Sequence, residues 1–471
     1  MTQSSEAEHK EVVIVGGGLA GLSAAWALRD RDVVVLEADE RVGGRLYSLQ
    51  REPYWLNLGA GVFSGQDSPV RTLVREVGLE TREIPGNMMG LALNGAVLAS
   101  GPVELYPLRL PMSPSARISF LKTGAKIRLA VARYNQLAQQ RPGETEEAAE
   151  ERLFAYEGDR SFKDFLGPMH PDVEAVFRCT AANRIGTELE DLSATAGLET
   201  YAYQFSGKSS RLSHNLIGGS ARLPEEMARR MADRIRTGAR VEQVEQGSDG
   251  VRITYSLRGE HRRVLAGAAI VATPADVARR LLRPLPAELD EALGSVRYGQ
   301  AVLLAALTAE TEGMPYDGVY ALSTPKRRFT ILINVASTLR AAAQRAPGGS
   351  LLVYAGGNLA RDIFQEPDST IEGLFLNDLR QLYPQTKDII RETVVKRWDR
   401  IVPYAFPGRY KLQAEFKRSL ERVFLAGDYL GSWANMEVAV SSGQRAAGRA
   451  RAVLAPIPLA AEARVSPQAT A

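Results

Sequence analysis

The chain has 471 residues, a formal net charge of +3, 45% hydrophobic residues and 24% charged residues. That is too long for one core, so two to three domains are expected, and the balance is that of an ordinary globular protein. No run of like charge is long enough to argue for nucleic acid. The lone cysteine, Cys179, excludes a disulfide framework or a C-x-x-C metal site, and His9, His170, His214 and His261 have no ligand spacing, so no metal is expected. The N-terminus lacks an apolar leader and no run of about eighteen apolar residues occurs, which points to the cytoplasm.

In chain order, residues 1–10 are polar and read as loose. Residues 11–60 read strand, helix, strand, loop. The motif "VVIVGGGLAGLSAAWAL" at 12–28 places Gly16, Gly18 and Gly21 as G-x-G-x-x-G between a buried strand and a helix that opens with Leu19 and Ala20. Glycine there permits a tight turn, backbone contact with a pyrophosphate and close helix–sheet packing, and the helix N-terminus favours phosphate. Glu37 ends the next strand, followed by Ala38, at roughly the twenty-residue distance of an acid that grips a ribose. The link "RDRD" at 29–32 lacks the glycine that often ends such a helix. A second glycine pair with an arginine, Gly43-Gly44-Arg45, follows at once, which a nicotinamide site does not need.

Residues 90–210 read as mostly helical, with "PSARISFLKTGAKIRLAVARYNQLAQQ" as the clearest helix and "GETEEAAEE" at 143–151 as a solvated helix face or loop. That basic amphipathic helix is read as packing its apolar face on the protein, with peripheral membrane contact as the alternative. Residues 238–272 give three strands, "ARVEQVEQ", "GVRITYSL" and "AAIVATP", with a turn at 247–250. A mixed region follows to about 395. The strand "RVFLAGD" and a helix from Met436 to Leu454 close the fold, and "PIPLAAEARVSPQATA" at 456–471 reads as a disordered tail.

These motifs resemble the flavin-containing amine oxidase superfamily, which includes protoporphyrinogen oxidases, phytoene desaturases and monoamine oxidases. The resemblance rests on "EADERVGGRL", "NLGAGVF" at 57–63, "LIGGSARLPEEMARRM" at 216–231, "GARVEQVEQ" and "VFLAGDYLGSWANMEVAVSSGQRAA". It implies non-covalent FAD, since no cysteine lies in the segment where monoamine oxidases attach it. It also implies site roles. Gly44 and Arg45 lie nearest the flavin, and Gly59 and Ala60 belong to a loop beside it. Val241 meets the adenine, Gly427 and Asp428 hold phosphate and ribityl, and the helix from Met436 points at the ring. Trp398 and Pro403 in "RWDRIVPYAFPGRY" resemble the W…P segment of the protoporphyrinogen oxidase and desaturase branch, and Trp398 is counted with the cofactor wall.

The implied fold is α/β: a Rossmann-type FAD-binding domain with a β-meander, interleaved with an α+β substrate-binding domain. FAD segments are expected at 1–90, 211–275 and 396–455, and substrate segments at 91–210 and 276–395. No second G-x-G-x-x-G appears, so electrons are expected to pass to oxygen or a diffusible acceptor. The resemblance places Leu303 at the lysine of monoamine oxidases, and Asn435 and Ile401 at their two aromatic walls, with Tyr404, Phe406 and Trp433 nearby. Arg45, Leu303 and Asn435 are therefore the candidates at the reacting end. Each has a plainer alternative: Leu303 as core, Trp398 and Trp433 as packing anchors, Asn435 as a helix cap. The expected substrate is small and largely apolar, losing a hydride from a saturated C–C bond or from a C–H next to nitrogen. An amine oxidase, or a non-redox isomerase or cyclase, is the alternative. Composition and motifs leave the oligomeric state open.

Overall fold

Val12–Val15, the buried half of the strand Glu8–Val15, are β-branched residues covered on both faces, as a central parallel strand requires. The computed structural model describes residues 8–65, 68–85, 89–205, 212–340, 346–418, 420–431 and 434–454. The expected tail at 456–471, Trp433 and residues 1–7 lie outside these. The chain is ordered into the sheet from Glu8, earlier than the loose start expected for 1–10. The Glu8 carboxylate accepts two bonds of 2.6 Å from Arg236, and Lys10 reaches Asp32 at 2.9 Å.

That strand pairs in parallel with Val33–Leu36 on one side and Glu260–Val271 on the other. Val423–Leu425 joins Glu260–Val271 in parallel, while Val251–Leu257 and Ala239–Gln246 extend it as an antiparallel meander. The turn expected at 247–250 is closed by Gly247 N–H donating to the Gly250 carbonyl at 2.9 Å. The third meander strand is longer than its apolar signal, because its exposed half from Glu260 to Arg263 pairs only with Val251–Leu257. Alternation sends Val12 and Ile14 to one face, under the helices Leu19–Ala27 and Met436–Leu454. Val13 and Val15 face the meander and the helices Ala275–Leu281 and Ala287–Ser295.

A second sheet runs in the order Ile390–Trp398, Ala301–Thr308, Gly349–Gly356, Ile331–Asn334, Ala321–Ser323, Gly90–Leu93, Ala96–Leu98. Two expected boundaries move. Residue 396 falls inside Ile390–Trp398, which belongs wholly to the second sheet, so that boundary lies at about 399. Residues 276–295 pack into the core of the first sheet, so that boundary lies nearer 296.

Helices Pro114–Leu137, Pro171–Ile185 and Ala194–Phe205 build the helical part of this lobe. The first begins where the Ser113 hydroxyl accepts from Ala116 N–H at 3.2 Å with proline next in the chain. The acidic stretch at 143–151 opens the helix Glu146–Ala155 behind a Thr145 cap. Among the described residues no helix is long and apolar enough to cross a membrane.

Candidate active site

The three glycines of the first turn have different jobs. Gly16 has φ +105°, and a Cβ there would lie 2.8 Å from the Ala272 carbonyl oxygen. At Gly21 a Cβ would fall 1.9 Å from the Gly16 oxygen, so this glycine lets the helix press onto the sheet. Gly18 has φ −71° and ψ 177°, open to any residue, and no protein atom lies within 4 Å of its Cβ position. Its bareness leaves room for something that is not protein, at the N-terminus of the helix Leu19–Ala27.

The second glycine pair comes back onto the first. Gly43 N–H donates to the Gly17 carbonyl at 2.8 Å, and Gly44, with φ +53°, would bring a Cβ to 3.5 Å from Gly18 Cα. Two loops thus offer unadorned backbone to one gap. The segment at 216–231 backs them: Leu223 is fully buried, and Pro224 stands 2.9 Å from a Cβ at Gly43.

Charged groups mark the two ends. Glu37 accepts from Gly17 N–H at 2.6 Å and from Asp39 N–H at 2.8 Å. Burial pushes its carboxyl above the usual carboxylate range, although both backbone bonds oppose this. At the far end Arg45 donates to Asp428 at 2.7 Å and to the Ile401 carbonyl at 3.1 Å. Burial pulls that guanidinium down, but the Asp428 charge outweighs it and holds the pKa raised. Gly427, at φ +149°, donates its N–H to Ser442 Oγ at 3.0 Å, which ties the closing strand to the last helix.

The two glycine loops and the charged groups at both ends line one cleft of about 470 Å³. Its wall contains Gly16, Gly18, Leu19, Ala20, Glu37, Ala38, Gly43, Gly44, Arg45, Ala60, Val241, Trp398, Ile401, Gly427, Asp428, Asn435 and Met436. Gly21 and Gly59 stand behind it: a Cβ at Gly59 would lie 2.2 Å from the Arg45 carbonyl oxygen, so its role is close packing. Leu303 is also set back. It is 2% exposed, in an apolar cluster with Trp55, Leu56 and Leu58 against which Trp398 and Ile401 pack. Asn435 is the cap of the last helix, its Oδ1 accepting from Val438 N–H at 2.8 Å, and it borders the cleft as well. Trp398 anchors itself by donating its indole N–H to the Leu58 carbonyl at 2.7 Å.

Sequence reasoning missed several residues here. Arg41 lines the cleft, donates to the Gly44 carbonyl at 2.6 Å and lies 4.5 Å over the Tyr47 ring. Its place four residues after Glu37, inside the quoted motif, was a usable signal. Tyr298, Thr273 and Arg400 also line the cleft and carried none. The Tyr298 hydroxyl accepts from Ala275 N–H at 2.8 Å, and burial pushes its pKa up to about 12. Lys396 is the cross-strand neighbour of Leu303, with its ammonium 4.5 Å from the Trp398 ring. Glu437, in the first turn of the last helix, accepts from Ser64 N–H and the Ser68 hydroxyl and fixes that loop to the helix.

A glycine-floored cleft at the carboxyl ends of parallel strands, with a ribose-type acid at one end and a half-buried arginine–aspartate pair at the other, defines a dinucleotide-binding protein. The chain belongs to the flavin containing amine oxidoreductase family, whose model matches residues 19–451. FAD is the cofactor, and the free space beside Gly18 and Gly44 fits its diphosphate. The sequence is 25% identical to an L-amino-acid oxidase of Demansia vestigiata over 467 aligned positions, covering 93% of this chain and 86% of the relative. It is 26% identical to the L-amino-acid oxidase BmooLAAO-I of Bothrops moojeni, covering 94% and 90%. In fold it is similar to cyclohexylamine oxidase from Brevibacterium oxydans IH-35A, with a TM-score of 0.76 at 19% identity, covering 94% and 99% of the two chains. Putrescine oxidase bound to putrescine gives a TM-score of 0.74 at 19% identity, covering 95% and 100%.

Proposed function

We propose that this protein is an FAD-dependent oxidase of a largely apolar amine, breaking a C–H bond next to nitrogen. The carrying observation is the apolar wall behind the Arg45 end of the cleft, where Leu303, Trp55 and Leu58 back Trp398 and Ile401. Burial against such a wall contributes about 25 cal/mol per Å², so shape and apolar area can position the reacting carbon. FAD, when bound, supplies a hydride acceptor and passes electrons on to oxygen. Glu37 and Val241 would hold its adenosine end, Gly18 and Gly44 its diphosphate, and Arg45, Asp428 and the N-terminus of the last helix the other end. The expected leaning toward protoporphyrinogen oxidases and desaturases draws no support from the relatives above, which are amine and amino-acid oxidases by name. The reading therefore keeps the C–H next to nitrogen and leaves the saturated C–C bond aside.

A second reading has its own observation. The Lys396 ammonium lies 4.5 Å from the Trp398 ring and 5.6 Å from that of Tyr47. Among the described residues it has no carboxylate partner. A substrate carboxylate would pair with it, which suits an α-amino acid with an apolar side chain.

The test is anaerobic flavin reduction by benzylamine, putrescine, a bulky polycyclic amine and L-phenylalanine. Fast bleaching by the bulky amine, with both simple amines slow, is the expected result. Fast bleaching by either simple amine overturns the reading. Fast bleaching by L-phenylalanine that Lys396→Met abolishes establishes the second one. Turnover without any acceptor consumed returns the isomerase alternative.

A further inference from the structure

The long helix Pro114–Leu137 shows apolar side chains to solvent as well as to the core. Its inner face buries Ala116, Ile127, Ala130, Val131 and Tyr134. On the outside, Ile118 is 67% exposed, Leu121 45% and Leu129 75%. With the exposed Ala125 and Ala132, these fall within an arc of roughly 80° on the helix surface. One helix thus carries two apolar faces, and the protein covers only one of them.

Cations border the uncovered stripe on both sides. Lys122, Lys126 and Arg133 flank one edge and Arg117 and Arg128 the other, and no Asp or Glu occurs between Ser113 and Gln140. Lys126 bonds the Phe165 carbonyl, and Arg128 meets Glu104 at 3.6 Å. Among the described residues neither Lys122 nor Arg133 makes an ion pair, and Arg133 donates to the Gln136 side chain at 3.3 Å. Leu105 and Leu108, 46% and 56% exposed, extend the apolar surface from the neighbouring turn.

The stripe lies over a cavity of about 270 Å³, distinct in its lining from the cofactor cleft. Leu121, Ala125 and Arg128 of the helix line it, together with Phe120, Phe177 and Met89. Met89 packs in turn against the cluster of Tyr320 and Ile331 that also receives Val62.

We infer that the outer face of Pro114–Leu137 is a docking surface for an anionic lipid bilayer, with the cavity beneath it open to apolar molecules from that phase. Charge complementarity selects this occupant. A second copy of the chain, related by a two-fold axis, would set this cation-bordered stripe against itself. An anionic interface accepts both the stripe and its border, the lysine and arginine stems lying along the apolar boundary with their heads among phosphates. The helix lies on the surface rather than through it, consistent with its basic face. The inference goes beyond the proposed oxidation and stands or falls separately.

The experiment is flotation of the FAD-loaded protein with vesicles of phosphatidylcholine alone and of phosphatidylcholine with phosphatidylserine. Binding is expected only to the anionic vesicles and should weaken as salt rises. Lys122→Glu with Arg133→Glu should weaken it by roughly a hundredfold. Ile118→Gln with Leu129→Gln should also release the protein, while both double variants keep bound flavin and the anaerobic bleaching rate with a water-soluble substrate. Absence of binding, equal binding to neutral vesicles, or binding untouched by both double variants overturns the inference. So does a solution dimer that the Ile118/Leu129 variant dissolves when no vesicle binding is seen. Failure of every amine to bleach the flavin would count against the proposed reaction and leave this result untouched.

Discussion

The cofactor cleft and the second-sheet lobe are built from different materials. The cleft is made of backbone: Gly16, Gly18, Gly43, Gly44 and Gly427 are where they are because a side chain would either strike the protein or fill the ligand's space. The lobe beside it is made of aliphatic and aromatic side chains on strand faces, Leu303, Ile331, Tyr354 and Trp398 among them. A backbone site tolerates almost no substitution and leaves a fixed spacing in the sequence. A side-chain wall can be rebuilt from many residues at similar volume and leaves none.

The sharpest way to break this contrast is inside the cleft itself. Gly21→Val puts Cβ into the Gly16 carbonyl, so we expect loss of the folded holoprotein, seen as aggregation or a colourless product on expression. A Cβ at Gly18 meets no protein atom within 4 Å, so Gly18→Val should fold, with a circular dichroism spectrum like that of the native chain, yet lose FAD. If the Gly18 variant stays yellow with unchanged affinity, the gap between the two glycine loops does not hold the diphosphate. If the Gly21 variant folds normally, the helix is not clamped as described.

Legibility follows the same division. Glu37 could be placed from its distance to the glycines, and Gly43-Gly44-Arg45 from their excess over a nicotinamide site, because both carry a constraint on backbone. Tyr298 could not, since its role arises from where Arg297–Tyr298 pairs with Pro403–Tyr404. Lys396 shares a strand face with Trp398 two residues on, which alternation gives, but its place opposite Leu303 comes from strand register and could not be read. The strand Glu260–Val271 outruns its apolar signal because half of it is polar and exposed, and in Pro114–Leu137 the pattern shows apolar residues without separating those that face the core from those that face outward. Hydrophobic periodicity reports that a face is apolar, not what covers it.

Glu37 gives a prediction of intermediate size. Its charged form is disfavoured by burial, so the apoprotein is more stable with Glu37 protonated, and that contribution is lost as pH rises through the raised pKa. Ribose binding needs the opposite state, a carboxylate that accepts hydroxyl protons. FAD affinity should therefore weaken as pH falls through the raised pKa, at a pH above the ordinary glutamate range. Glu37→Gln should flatten that dependence, and Glu37→Ala should weaken binding by about 1.5–3 kcal/mol. A pH-independent affinity in the native protein, measured by fluorescence of released flavin, would remove Glu37 from the ribose.

A related expectation concerns attachment. Cys179 is buried on the helix Pro171–Ile185, donates its thiol to the Thr330 carbonyl at 2.9 Å and does not line the cleft. Acid precipitation should accordingly leave all the yellow colour in the supernatant. Colour that stays in the pellet means a covalent bond through some other residue.

The smallest effect separates two roles that meet in one residue. Asn435 caps the last helix, and it also borders the cleft where that helix directs the positive end of its dipole. As a cap alone, Asn435→Ala costs about 1 kcal/mol of stability, and Asn435→Asp, which keeps an acceptor for Val438 N–H, costs little. Neither would alter flavin reduction by substrate beyond what stability explains. If Asn435 also orients the substrate through its amide, both variants should slow anaerobic bleaching, the aspartate as much as the alanine. The aspartate variant is decisive, because the cap survives in it and the amide does not. Native melting with slowed bleaching places Asn435 at the substrate, whereas native melting with native bleaching confines it to the helix.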